Sequence, residues 1–300
     1  MARIEPPRWT VEQLEADRVR SLSNFIASWG AEGTRRYESA VAELSQRLDR
    51  LFSASADLAQ LSGLTFVQDT SLLEAARFVT APPVSADDLR TLIGGNVGHK
   101  RPDEARAAEA ARIVRSAWDP IRFPWLREDR AANGTERNTA ILWTASIWAI
   151  ESMRTYQRNT PARAQEAQVS DALTTAGFEP VTTRSILSLE DIDRGTFTSG
   201  ECRVGDHKCD RAVRLYDGRL LAIECKVSNS AVNSKKRLNN DVGAKAAAWR
   251  KDFGAQLITA AVLAGVYSLG NLTSAQAHDG VTILWAHDLK PLVSFVRGAR

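Results

Sequence analysis

The stretch from Cys209 to Lys226 constrains this chain more than any other. Two β-forming runs, Cys209–Leu215 and Arg219–Val227, flank Tyr216-Asp217-Gly218, and together they read as a β-hairpin. With a three-residue loop and Gly218 in the left-handed position of a bulged turn, Leu215 pairs with Arg219 and Asp210 lies directly opposite Glu224. Opposed residues share a sheet face with Cβ atoms about 5 Å apart. Lys226, two residues beyond Glu224, points the same way. A two-residue loop would slip the register by one and turn Asp210 to the other face. Both registers are open at the level of sequence, and only the first gathers two carboxylates and an ammonium. Ile223, Cys225 and Val227 alternate with them and are apolar, as suits a strand buried on one side.

Two carboxylates and one ammonium converging on a sheet face are costly unless something compensates them. A bound Mg²⁺ does so, taking one or two carboxylate oxygens and keeping waters for a phosphate substrate. Such a metal polarises a phosphoryl oxygen and helps turn water into a nucleophile. A neighbouring lysine orients or deprotonates that water and offsets charge building on the phosphate. The chemistry to expect is phosphodiester hydrolysis, with Asp210, Glu224 and Lys226 as its catalytic residues.

The rest of the chain reads as two parts. Thr10 with Gln13 forms a capping box ahead of Val11, Leu14, Val19, Leu22 and Ile26, and Gly30 and Gly33 break that helix. Further helices are expected over Tyr37–Phe52, after Ser85, from Pro102 toward Trp118, and over Thr139–Arg154. Six of the eight tryptophans fall in the first 150 residues, which suits the core of a helical domain. A helix over Pro161–Thr175, stopped by Gly177, then opens an alternation of strands and helices. Strands are expected near Val181–Leu187, Cys209–Leu215, Arg219–Val227, Leu257–Val266 and Val281–Trp285, with helices over Asp241–Phe253 and Leu289–Val296. The fold class is α/β: a mixed sheet flanked by helices over residues 156–300, preceded by a mostly α-helical domain over residues 1–155.

Composition excludes several classes. At 44% hydrophobic and 25% charged residues over 300 positions, the chain is neither disordered nor fibrous. The longest apolar runs, Ile141–Ile150 and Leu257–Val266, are about half the roughly 20 residues that span a bilayer, and no apolar secretory segment opens the sequence. The expectation is a cytoplasmic protein without a membrane partner. Net charge is only +3, but Glu201–Lys251 holds 12 basic and 6 acidic residues, so the positive field is local: +6 there and −3 elsewhere. Cys202, Cys209 and Cys225 cannot all pair, and with His207 their spacings match no standard zinc site. The Gly94–Arg101 stretch has glycines and basic residues without the spacing of a phosphate loop, and His278 and His287 have no identifiable partner.

Asp210, thirteen intervening residues, then Glu224-Cys225-Lys226 resembles the PD-(D/E)xK nuclease signature, within that fold's order of helix, three strands, helix, strand. Cys209 stands where the signature has its proline. Leu221 to Asn240, followed by Gly243 to Trp249, resembles the XamI-type restriction endonucleases, a likeness covering roughly residues 160–297. That resemblance implies a type II site-specific deoxyribonuclease, usually a homodimer. It implies Mg²⁺-dependent hydrolysis of double-stranded DNA at a short palindromic sequence, leaving 5′-phosphate ends. A restriction-modification system with a cognate methyltransferase follows from the same likeness. Carried onto this chain, Asp210 and Glu224 are metal ligands, the Cys225 carbonyl is a further ligand, Lys226 is the catalytic lysine, and Glu166 is an additional acid. The helical domain would clamp DNA, dimerise, or both.

Behind Lys226 runs a polar, basic segment. Ser228, Asn229, Asn233, Lys235, Lys236 and Arg237, with Lys245 on the next helix, are the candidates for DNA contact, because Lys and Arg neutralise phosphates while Asn and Arg also read base edges. Trp249 is expected in the core. Two other functions fit the same residues: a modification- or structure-dependent nuclease, and a non-catalytic DNA-binding module. For the latter, Asp210→Ala would leave function untouched.

Overall fold

Thr10 caps α1 (Val11–Trp29) with the reciprocal bonds of a capping box, its hydroxyl accepting from the Gln13 N–H while the Gln13 side chain accepts from the Thr10 N–H. The computed structural model describes residues 3–299, with the side chains of residues 31 and 157–160 left aside. The chain divides into two units, Glu32–Tyr156 and Met1–Ala31 with Gln157–Arg300.

The first unit is helical. It contains α2 (Ala31–Ala54, whose first residue falls outside it), α3 (Gly63–Gln68), α4 (Leu72–Arg77), α5 (Ala86–Leu92), α6 (Glu104–Ser116), α7 (Pro124–Arg127) and the start of α8 (Gly134–Thr175). Gly33 does not break α2, because one glycine near a helix start costs only about 1 kcal/mol relative to alanine. The core gathers Phe52, Phe123 and Trp125 edge to face and stacks Phe78 on Trp148 at 4.7 Å. The tryptophan count overstates that core: Trp143 is exposed, as is Trp29 in α1. Helix α8 runs for 42 residues where the sequence suggests two helices with a gap before Pro161. An interior proline removes one backbone donor and weakens a helix, and here helical backbone continues on both sides of it.

The second unit is mixed α/β. After α8 come β1 (Glu179–Val181), β2 (Ser185–Ile186), β3 (Thr196–Thr198), β4 (Cys202–Val204), β5 (His207–Cys209), β6 (Arg211–Arg214) and β7 (Leu220–Ser228). Then follow α9 (Ala231–Lys235), a π-helical turn over Lys236–Val242, α10 (Gly243–Phe253), β8 (Leu257–Gly265), α11 (Leu269–Ala277), β9 (Thr282–Trp285) and α12 (Lys290–Gly298). A six-stranded sheet has the order β1-β3-β6-β7-β8-β9, and β2-β4-β5 form a smaller one. Strands β3, β6 and β7 are antiparallel neighbours, whereas β7, β8 and β9 run parallel. The expected strand over Val181–Leu187 is two short strands in different sheets, and the expected strand over Cys209–Leu215 is broken at Asp210. Cys209 pairs with Cys202 in the small sheet and Arg211 with Ile223 in the large one, so Asp210 occupies the crossing point.

Both faces of the large sheet are covered. Val169 and Leu173 of α8 and Leu292, Phe295 and Val296 of α12 pack with Leu221, Ile223 and Cys225. On the other face Leu14 of α1, Ala246 of α10 and Leu272 of α11 pack with Ala261, Leu263 and Ile283. Helix α1 thus belongs with the sheet, and the observed division departs from one at residues 155 and 156. The physical reason lies in three side chains. Leu14 is fully buried there, Trp9 Nε1 donates to the Ile283 carbonyl at 2.6 Å, and the Ser21 hydroxyl donates to the Gly265 carbonyl at 2.8 Å while accepting the Gly265 N–H at 2.9 Å. Among the described residues no helix is long and apolar enough to cross a membrane.

Candidate active site

The turn chemistry selects the hairpin register. The Leu215 N–H donates to the Arg219 carbonyl at 2.9 Å, the Gly218 N–H donates back to Leu215 at 3.0 Å, and Gly218 has φ +92°. A β-carbon is disfavoured at that φ, so glycine closes the three-residue loop. The ladder then runs from Arg214 opposite Leu220 to Arg211 opposite Ile223, the register of the three-residue loop, and ends one residue short of Asp210 and Glu224. Asp210 lies just beyond β6, and its Oδ2 accepts the Cys225 N–H at 2.7 Å in place of a ladder carbonyl. In a strand the N–H and C=O of one residue point to the same side, so the Cys225 carbonyl faces this gap as well.

Glu224 is the central charge of the site and is completely buried. Its Oε2 lies 2.7 Å from Lys226 Nζ and 2.7 Å from Lys245 Nζ, and Lys226 Nζ also lies 3.2 Å from Asp210 Oδ2. Burial alone would lower the Lys226 ammonium, but the Glu224 and Asp210 carboxylates outweigh it and hold the group above the ordinary lysine range. Lys226 is therefore a cation here.

Glu224 Oε1, by contrast, is buried without a hydrogen-bond partner among the described residues. An orphaned carboxylate oxygen in the interior is expensive and calls for an ion or water to satisfy it. Among the described residues the hydrogen bonds to the Asp210 carboxylate go to Oδ2 and none to Oδ1. Two carboxylate oxygens and a carbonyl form an all-oxygen donor set, which suits a hard cation that keeps several waters, such as Mg²⁺. Among the described residues no group of three or more His, Cys, Asp or Glu side chains is gathered for a metal. A thiol-rich zinc site is thereby absent from those residues, and the Cys225 thiol is itself buried and raised by that burial.

Glu166 of α8 reaches this neighbourhood through Arg211. Its Oε2 lies 3.3 Å from Arg211 Nη1, and Arg211 Nε donates to Ser170 Oγ at 3.0 Å. Burial raises the Glu166 carboxyl, and the nearby Asp210 charge adds to the shift.

The basic segment is helical through Ala231–Phe253, where the sequence suggests a loop before a helix at Asp241. Asn229, Asn233, Lys235 and Lys236 are exposed. The other three expected DNA contacts bond within the chain. Ser228 is buried and donates to the Ser230 carbonyl at 2.9 Å, Arg237 Nη1 is bonded to the Val227 carbonyl, and Lys245 is spent on Glu224. The helical path of 231–253 turns the polar ends of Arg237 and Lys245 toward the backbone and buried carboxylate of β7, whereas Ser228 is the last residue of β7 itself. The structure also brings in residues that sequence reasoning missed, Arg211 and Tyr267, whose hydroxyl donates to the Lys226 carbonyl at 2.8 Å. Arg211 adjoins Asp210 in sequence, a signal that could have been used; Tyr267 had none, being 41 residues from Lys226. Trp249 is fully buried, and His287 Nε2 lies 3.1 Å from Asp17 Oδ1.

Residues 56–285 match the family described as XamI restriction endonuclease. Over 261 residues the chain is 34% identical to the type II restriction enzyme XamI of Xanthomonas campestris pv. amaranthicola, covering 83% of this chain and 93% of that protein.

Proposed function

The chain belongs to the XamI restriction endonuclease family, and from that membership we propose that it is a type II site-specific deoxyribonuclease with a PD-(D/E)xK site at Asp210, Glu224 and Lys226. The observation that carries the reading is the Lys226 ammonium set between Asp210 Oδ2 and Glu224 Oε2 beside an unsatisfied buried oxygen of Glu224. Asp210, Glu224 and the Cys225 carbonyl would hold Mg²⁺. When bound, that ion supplies Lewis acidity toward a phosphoryl oxygen and a lowered pKa for water.

The remaining work falls to the chain's own groups. Lys226 exchanges its carboxylate partners for the scissile phosphate, orients the attacking water and offsets the charge that develops on phosphorus-bound oxygens. Asp210 is fixed by the Cys225 N–H, so it keeps its place when Lys226 moves. Glu166, tied to Arg211 and with its carboxyl raised by burial and by the Asp210 charge, is placed to exchange protons near the site. Asn229, Asn233, Lys235 and Lys236 present an exposed polar and basic face for the DNA backbone and base edges. The products would carry 5′-phosphate ends. Homodimerisation on a palindromic site, a protective methyltransferase in the same restriction-modification system, a cytoplasmic location and a DNA-clamping or dimerising role for the helical unit complete the proposal.

The test is incubation of purified protein with plasmid and phage DNA, with and without Mg²⁺, beside Lys226→Ala. Discrete fragments that require Mg²⁺ and vanish in the variant are expected. Intact DNA in every lane despite a gel shift would reject the reading for unmodified DNA.

A further inference from the structure

We propose that Lys245 is a positioning residue of this site: it pins Glu224 by Oε2 so that Oε1 stays turned toward the cation, and it does not contact DNA. The inference rests on the hydrolytic reading above. Lys245 Nζ lies 2.7 Å from Glu224 Oε2, an oxygen it shares with Lys226. The two lysines differ in what else they touch. Lys226 also bonds Asp210, whereas Lys245 lies 5.9 Å from the centre of the Trp249 ring, one helical turn along α10. Trp249 is fully buried, and its Nε1 donates to the Val204 carbonyl at 2.8 Å. The Lys245 ammonium therefore lies beside a buried, hydrogen-bonded ring, and it is held against a carboxylate with no exposure at all.

This difference assigns different duties. Lys226 sits on the strand that carries Glu224 and is the cation free to exchange partners when a phosphate arrives. Lys245 comes from another element, 21 residues on, and remains on Oε2 after that exchange. A ligand carboxylate with one oxygen anchored presents the other in a single orientation, the usual role of groups behind a metal ligand. A lysine already paired with a buried carboxylate releases little counterion on DNA binding, so it adds little to the salt dependence.

The test compares Lys245→Met, Lys245→Arg, Asp210→Asn and Glu224→Gln. The readouts are plasmid cleavage against Mg²⁺ concentration, Mn²⁺ binding to the protein by calorimetry, DNA affinity against salt with Ca²⁺ in place of Mg²⁺, and the unfolding midpoint. Lys245→Met should cleave roughly 10- to 100-fold more slowly and bind Mn²⁺ about 10-fold more weakly. Its DNA affinity should stay within about twofold of the parent with an unchanged salt slope, and Lys245→Arg should recover most of the loss. Unchanged Mn²⁺ affinity overturns the proposal. So does weakened DNA binding with a salt slope lower by about one, which would make Lys245 a phosphate contact. Lys245→Gln carries the same comparison should Lys245→Met not fold. If Asp210→Asn and Glu224→Gln abolish cleavage while Lys245→Met behaves as wild type, the Lys245 role alone falls. If those two variants still cleave, the hydrolytic reading itself falls.

Discussion

The carboxylate of Asp210 accepts the backbone N–H of Cys225 at 2.7 Å, closing the hairpin where its ladder has already ended. Because β5 stops at Cys209 and β6 starts at Arg211, no strand pairing holds Asp210 itself. The bond to Cys225 does that instead, while Oδ1 stays available.

Asparagine can still accept from Cys225, but it carries no charge for Lys226 or a metal. Asp210→Asn should therefore lose cleavage by roughly 10²- to 10³-fold or more with an unfolding midpoint close to the parent. Asp210→Ala also leaves the Cys225 N–H unpaired and should unfold about 1–3 kcal/mol more easily. Plasmid cleavage and denaturant titration check the pair, and an active Asp210→Asn would remove this residue from the metal site.

Lys235 and Lys236 are exposed on the helical segment beside the site. Replacing both with alanine should weaken DNA binding evenly across sequences and lower the slope of log affinity against log salt by about two, since each phosphate contact contributes about 0.9. Cleavage at low salt should persist. An unchanged slope would move the DNA-binding face elsewhere.

Ser21 is buried and its hydroxyl serves both the N–H and the carbonyl of Gly265 at the end of β8. Ser21→Ala should cost about 1–3 kcal/mol, because two backbone groups lose their partner away from water. A fragment of residues 156–300 lacks Ser21, Leu14 and Trp9 together and should not unfold cooperatively, whereas added peptide 3–31 should restore a cooperative transition. Cooperative melting of the fragment alone would show that α1 is dispensable.

In the helical unit the Arg122 guanidinium is buried, donating to the Phe78 carbonyl at 2.8 Å and Thr144 Oγ1 at 2.9 Å and pairing with Asp119 at 2.7 Å. Although burial would raise the Asp119 carboxyl, Arg122 and two backbone N–H groups hold it below the ordinary range. A depressed folded-state pKa contributes stability that is full above the unfolded value and lost as pH falls through the folded one. Asp119→Asn should thus be less stable by about 2–4 kcal/mol near neutral pH. The gap to wild type should narrow below about pH 4. A gap independent of pH would show that the charge of Asp119 is not what stabilises Arg122.

The hairpin that carries the candidate site was legible because it is local. Strand alternation and the turn chemistry of Tyr216-Asp217-Gly218 determine which residues oppose one another, and both operate within about twenty residues of chain. The choice between two loop lengths, which the sequence left open, was decided by the left-handed Gly218 and the Leu215–Arg219 pairing. Helix starts with side-chain caps at Thr10 and Ser85 were legible for the same reason, and the helix expected from Pro102 begins at Glu104, capped by Asp103.

What the sequence alone determined, then, is the mixed α/β class, the hairpin and the identity of the charges on its end. The tertiary structure decided where those charges found partners. Lys245 reads as one more basic residue until α10 lays it against Glu224, and α1 reads as the start of a helical domain until Leu14 and Ser21 meet β8 and its neighbours. The physical reason is that desolvation makes a buried carboxylate or backbone group take whatever partner the packing brings within hydrogen-bond reach. Periodicity and capping carry no information about residues that meet from 21 or 244 positions away.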